Sequence, residues 1–138
     1  MASLSSPEGL RFRKFLETLI PYKIKAWGAT YREEIADCEE IVLDLNDADV
    51  VSSALSSSLG QRHVVAIDID HPAWLVRSST PEHYHLYIDV PGGIDWETYE
   101  QMLYWMAQAG VIEKGYHEVS KKRKRTDLRL PWVKKQGQ

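Results

Sequence analysis

The segment Val64-Val65-Ala66-Ile67-Asp68-Ile69-Asp70 constrains the fold more than any other stretch of the chain. It is short, apolar and rich in β-branched residues, and Pro72 stops it two positions later. β-Branched side chains suit a pleated strand, so the run predicts a buried strand that ends in acids. Alternation would put Asp68 and Asp70 on one face, about 6–7 Å apart at Cα, with Ile67 and Ile69 turned into the core. Two carboxylates that close repel each other. A hard divalent cation such as Mg²⁺ or Mn²⁺ relieves that repulsion. Acids at a strand end also serve simply to face water, so the pair alone does not choose between the two roles.

Around this run the sequence divides near residue 63. Ser6-Pro7-Glu8 is a helix start, with a hydroxyl cap, a proline in the first turn and an acid behind it. Phe12, Phe15, Leu16, Leu19 and Ile20 then recur at helical spacing up to Pro21. A short strand through Ile24 to Trp27 is expected next. Tyr31, Ile35, Cys38 and Val42 suggest a second helix, although Ile41-Val42-Leu43 could equally begin a strand. Asn46 and Asp47 can cap a third helix carrying Val50, Val51, Ala54, Leu55 and Leu59, with Gly60 as its left-handed end. Residues 1–62 are therefore expected to be a mostly helical segment.

Residues 63–138 carry strand signals. Residues 73–78 and 83–90 read as strands about the turn Thr80-Pro81-Glu82. In the second of them Tyr84, Leu86 and Ile88 alternate against His83, His85 and Tyr87. Asp95 caps a helix whose face is Tyr99, Met102, Leu103 and Met106, ending at Gly110. Residues 111–119 and 126–130 read as two more strands. The expected class is α+β, an antiparallel or mixed sheet packed by helices. With seven Tyr, five Trp and 43% hydrophobic residues, 138 residues suffice for a single compact domain over both segments.

The single Cys38 excludes an internal disulfide framework and a CxxC zinc ribbon. No apolar run approaches the roughly 20 residues of a membrane span, and the first residues lack the pattern of a signal peptide. A soluble, reduced, cytoplasmic protein is expected. Charge is unevenly spread: nine basic residues face 19 acidic ones up to Ser120, whereas eight face one from Lys121 onward. The run Lys121, Lys122, Arg123, Lys124 and Arg125 is expected either to bind a nucleic-acid backbone or to form a solvated hairpin connection.

Two further groups carry chemistry. His83 and His85 share one face of their expected strand, close in sequence to the two acids. Near the C-terminus Asp127 and Arg129 alternate with Leu128 and Leu130, and Pro131 ends the run before Lys134. Arginine binds phosphate oxygens bidentately and lysine adds a mobile point charge.

Together these segments resemble the archaeo-eukaryotic primase superfamily, in particular its small phage and plasmid primase-polymerase branches. Val65 to Asp70 match that family's apolar strand ending in two spaced acids. Ser79 and His85 match its second motif, a serine six residues before a histidine. Arg129-Leu130-Pro131 followed by Lys134 matches its variable third motif, where some branches carry a further metal-binding acid, here Asp127. The likeness covers residues 63–135. It departs at Glu82 and His83, where relatives often carry glycine, and in lacking a zinc module and a helicase.

The resemblance implies an RRM-like palm and a DNA primase, a template-dependent nucleotidyltransferase of DNA replication. Asp68, Asp70 and Asp127 would hold Mg²⁺ or Mn²⁺, with His85 among the catalytic residues. Ser79, His83, Arg129 and Lys134 would contact nucleotide phosphates. The implied partners are nucleoside triphosphates, a single-stranded DNA template and a separately encoded primase or helicase subunit. Two other readings stand beside it. One is an HUH-type replication nuclease, using His83 and His85 on a metal and Tyr99 or Tyr104 as nucleophile. The other is a non-catalytic nucleic-acid-binding replication accessory protein.

Overall fold

The computed structural model describes residues 5–25 and 39–134. Part of the expected strand through Trp27, and the expected helix on Tyr31, Ile35 and Cys38, lie outside these residues. The described chain is α+β, with three α-helices and two small antiparallel sheets. It forms two compact units, residues 1–67 and 68–138. Among the described residues no helix is long and apolar enough to cross a membrane.

The first unit opens with α1 (Pro7–Leu16). The Ser6 hydroxyl accepts the Gly9 N–H at 3.0 Å, as the cap signal predicts. The helix stops short of Leu19 and Ile20. Thr18 turns its hydroxyl back onto the Phe15 carbonyl at 2.6 Å, and the chain reverses into β1 (Leu19–Ile24). Leu19, only 3% exposed, anchors the reversal. β1 is the central strand, between β2 (Glu39–Ile41) and β3 (Val50–Leu55), both antiparallel to it. Pro21 sits opposite Val51 beside a register shift, where a strand tolerates a residue without an N–H.

This corrects the expectation of a mostly helical N-terminal segment. Val50, Val51, Ala54 and Leu55 fit a helical face, yet they form a strand because β1 offers an antiparallel partner. The intervening serines favour it too: Ser52 donates its hydroxyl to the Ile20 carbonyl at 3.0 Å. The Asn46-Asp47 signal produces a single 3-10 turn (Leu45–Asp47), capped by Asp44 rather than a long helix. Gly60 does adopt the left-handed conformation, with φ +81°, but after a 3-10 turn (Ser56–Ser58).

The strand expected from residue 64 is cut short. His63 bridges Ala54, and the Val64 N–H reaches the Ser53 carbonyl at 2.8 Å. Residues 64–69 then lie in neither helix nor strand. β-Propensity becomes a strand only against a partner, and the aspartates that close the run disfavour one.

In the second unit β4 (Ala73–Arg77) and β5 (Tyr84–Ile88) form a hairpin in which Trp74 faces Tyr87 and Val76 faces His85. Ser78 and His83 close its turn through the Ser78 N–H and His83 carbonyl, 2.9 Å apart. At the open end the Asp89 N–H continues the ladder to the Pro72 carbonyl, also at 2.9 Å.

Helix α2 (Trp96–Gln108) follows the predicted start and stop. The Asp95 carboxylate accepts the Thr98 N–H and hydroxyl, which hold its pKa below the ordinary value. Gly110, at φ +79°, lies just past the helix end.

The strand expected over 111–119 is instead helix α3 (Lys114–Arg123), and residues 126–130 form no strand. Apolar periodicity misses α3 because its buried residues, His117 and Ser120, are polar. α2 and α3 pack on each other, and the buried residues of α2 are Leu103 and Ala107, one turn apart. His117 Nε2 meets Glu100 Oε1 at 2.9 Å, which satisfies the buried imidazole.

Candidate functional site

The candidate residues of the second unit fall into three groups along the hairpin and the C-terminal segment. Asp68 and Asp70 are exposed on the approach to β4. Ser79 and His83 are exposed at the hairpin turn, and His85 is half-buried on β5, opposite Val76. At about 3.3 Å per residue β4 alone spans roughly 13 Å, and it lies between the acids and the turn along the chain.

The turn is built by its own sequence. Thr80 donates its N–H to the Ser78 hydroxyl at 3.2 Å, Pro81 fixes φ, and the His83 N–H returns to the Thr80 carbonyl at 3.2 Å. Glu82 is forced to φ +62°, a conformation that costs a residue bearing a Cβ about 1–2 kcal/mol. Glu82→Gly removes that strain but adds about 0.4–1 kcal/mol of unfolded-state entropy. The variant is therefore expected to unfold at a slightly higher denaturant midpoint than the parent. A lower midpoint would mean that the Glu82 side chain contributes more than the strain costs.

The third group meets the turn directly. Arg129 donates from Nη2 to the Ser79 hydroxyl, joining residues 50 positions apart in the chain. The second and third sequence motifs are thereby brought into contact. Lys134 is exposed four residues after the turnlike Leu130, whose carbonyl accepts the Val133 N–H at 3.0 Å.

Asp127 is committed elsewhere. It accepts from Arg123 Nη1 at 3.2 Å and from Arg125 Nε at 3.0 Å. Among the described residues no group of three or more His, Cys, Asp and Glu side chains is gathered for a metal, so the three-acid set of Asp68, Asp70 and Asp127 is not assembled. Asp68 and Asp70 still offer the hard oxygen donors a magnesium-like ion takes. Such an ion is commonly held by one or two carboxylates and completed by water and substrate phosphate. Either carboxylate offers such a ligand, but Asp68 and Asp70 lie outside any strand, so the alternation expected to set both on one face is absent.

The basic run is not a hairpin connection. Lys121, Lys122 and Arg123 form the last turn of α3, where cations suit the helix dipole, and Lys124 ends the helix at φ +58°. The exposed pairs from Arg123 and Arg125 to Asp127 are individually weak, but they tie the basic end of α3 to the segment that carries Arg129.

Sequence reading placed Tyr99 on its helix but missed its neighbours Thr126 and Tyr116. The Tyr99 and Thr126 hydroxyls are 3.0 Å apart, which engages one of the tyrosines a nuclease reading would use. Burial pushes the Tyr116 phenol above its ordinary pKa of 10.0. A hydrogen bond with Thr126 opposes this, and Tyr99, Asp127 and Tyr87 add to it. A phenol whose folded pKa is raised contributes stability that is complete below the unfolded value and lost as pH rises through the folded one. Tyr116→Phe should therefore lessen the loss of stability above about pH 10 while changing little at pH 7. Urea midpoints at both pH values measure this. An unchanged alkaline slope would refute the assignment.

On the hairpin face that carries His85, Trp74, Val76, Tyr87 and Asp89, with Ile88 from the edge of the other face, line a shallow, open and almost wholly apolar depression of about 440 Å³. Only the strand register aligns Trp74 with Tyr87, so alternation within either strand alone could not reveal the pair. Compared with family models, with curated proteins and with solved structures, the chain matches none.

Proposed function

We propose that the second unit carries a primase-type nucleotidyltransferase site that joins nucleotides on a single-stranded DNA template. The observation that carries this reading is the contact of Arg129 with Ser79. It sets a guanidinium beside a hydroxyl-lined turn, and His85 lies just beyond the turn on β5. Guanidinium, hydroxyl and imidazole are groups that bind phosphate, and fixed positive charge is most effective where charge develops.

In this reading Arg129, Ser79 and His85 hold the triphosphate, and Lys134 adds a mobile cation. Asp68 and Asp70 would hold a divalent ion, which when bound favours ionisation of the 3′ hydroxyl and offsets charge on the departing pyrophosphate. The reaction forms a bond from the 3′ oxygen to the α-phosphorus and breaks the α–β phosphoanhydride. Pyrophosphate leaves and the hydroxyl proton passes to solvent. Asp127 has a different part: it gathers Arg123 and Arg125, so that the end of α3 offers the template backbone an ordered cationic surface.

Arg129→Ala removes a charged hydrogen-bonding partner worth about 1.5–3 kcal/mol, so nucleoside triphosphate should bind about 10- to 100-fold more weakly. Equilibrium titration measures this, and affinity equal to the parent's would exclude Arg129 from the site.

A second reading, a non-catalytic nucleic-acid-binding subunit, is favoured by the exposed basic end of α3 together with the incomplete acid set. It predicts single-strand binding that is indifferent to divalent metal and to nucleotide.

A further inference from the structure

We propose that Thr126 is a positioning residue for the nucleotide site, pinning the irregular C-terminal segment to the helices so that Arg129 meets Ser79. The proposal rests on the reading of Arg129 as a phosphate-binding group, and it names the residue that sets that group in place.

Residues 126–130 lie in neither helix nor strand, so no backbone ladder fixes the stretch that carries Arg129. Yet Arg129 is half-buried, and its guanidinium reaches the Ser79 hydroxyl 50 positions earlier in the chain. A long arginine side chain loses rotamer freedom when it is held, and a wandering backbone would add to that loss. The segment must therefore be held by its side chains.

Thr126 holds it from both helices. Its hydroxyl lies 3.0 Å from the Tyr99 hydroxyl, a part-buried bond to α2. The Tyr99 ring is itself set edge-on to Trp96, with centroids 5.6 Å apart, so the bond ends on a supported group. Tyr116 of α3 bonds to the same Thr126 hydroxyl. A threonine hydroxyl has one donor and two acceptor sites, enough for both phenols, and its β-branched carbon restricts where it points.

The other ties of the segment are weaker. Asp127 pairs with Arg123 and Arg125, but all three side chains are about half exposed or more, where such pairs contribute little. A hydrogen bond away from solvent is electrostatically stronger. Thr126 precedes Arg129 by three residues, at most about 10 Å of extended chain, so fixing the one confines the other. A phosphate site gains from positive charge that is already in position, because the arginine need not be ordered at the moment of binding.

The test titrates the full chain with ATP and follows the Arg129 guanidinium by nitrogen NMR. Thr126→Val keeps the branched shape and removes the hydroxyl, whereas Thr126→Ser keeps the hydroxyl. The valine variant is expected to bind ATP about three- to tenfold more weakly and to free the guanidinium to rotate. The serine variant should stay within about twofold of the parent, with the guanidinium held. In an Arg129→Ala background the valine substitution should weaken binding no further, because its effect passes through Arg129. Tyr99→Phe, which removes the partner hydroxyl and keeps the ring, should act like the valine variant and replaces it if valine prevents folding.

A guanidinium that stays held in both Thr126→Val and Tyr99→Phe would overturn the proposal. So would a loss of affinity that is the same with and without Arg129, or one that serine does not rescue. A parent that binds no ATP, with Arg129 still released by valine, would remove the nucleotide reading and leave the positioning role standing. ATP binding by a chain whose Arg129 is indifferent to Thr126 would do the reverse.

Discussion

Replacing both Asp68 and Asp70 with asparagine should reduce primer synthesis by at least about a thousandfold, the equivalent of several kcal/mol of lost transition-state stabilisation. Both side chains are exposed and lie outside helix and strand, so the fold has little reason to respond. Exposed substitutions of this kind usually move stability by no more than about 0.5 kcal/mol. Asparagine keeps the volume of each side chain and removes the charge, so the loss would be one of charge rather than of shape. Binding of a single strand through Lys121, Lys122 and Lys124 should persist, because α3 does not depend on the acids for its structure. Product formation, thermal midpoint and oligonucleotide affinity measured on one preparation distinguish these effects. Retained synthesis at the parent rate would remove both aspartates from the chemistry.

The second large effect concerns stability. Leu103→Ala should destabilise the second unit by about 2–5 kcal/mol, the usual range for emptying a buried leucine site. Leu103 is 4% exposed and lies on the helix that packs against α3, whose own buried residues are His117 and Ser120. Few apolar groups share this core, so neighbours have little with which to refill the space. Small domains are stable by only about 5–15 kcal/mol, and the variant would lose a large fraction of that margin. Trp74, Trp96, Trp105 and Trp132 all belong to this unit and only Trp27 to the other, so tryptophan fluorescence during urea unfolding reports chiefly on it. A midpoint within error of the parent's would show that α2 and α3 do not depend on Leu103.

The elements legible in the sequence were those whose ends carry local signals. Ser6-Pro7 began α1, and Asp95 and Gly110 bounded α2, because capping groups act within one turn of the backbone they satisfy. The β4–β5 hairpin followed from strand signals on either side of Thr80-Pro81-Glu82, with alternation in the second of them. Elements that depend on distant partners were misread. Val50 to Leu55 became a strand through β1, and the run from Val64 lost its strand after one pair with β3. Helix α3 was hidden because His117 is buried against Glu100, a pairing no hydrophobic pattern can register.

The site divides in the same way. Arg129 was picked out by residue type and Ser79 by its motif position in the resemblance, and the structure puts them in contact. Asp127 also carried a recognisable signal, and the structure pairs it with Arg123 and Arg125 instead of bringing it to Asp68 and Asp70. The Trp74 and Tyr87 pair had no signal of its own, since neither strand contains both rings.

The most direct test is synthesis itself: the full chain is incubated with a single-stranded template, all four ribonucleotides or deoxynucleotides, and Mg²⁺ or Mn²⁺. Short template-dependent products that vanish with chelator are the predicted result. A folded protein that binds the strand yet makes no product with either metal, with or without a helicase partner, would contradict the account.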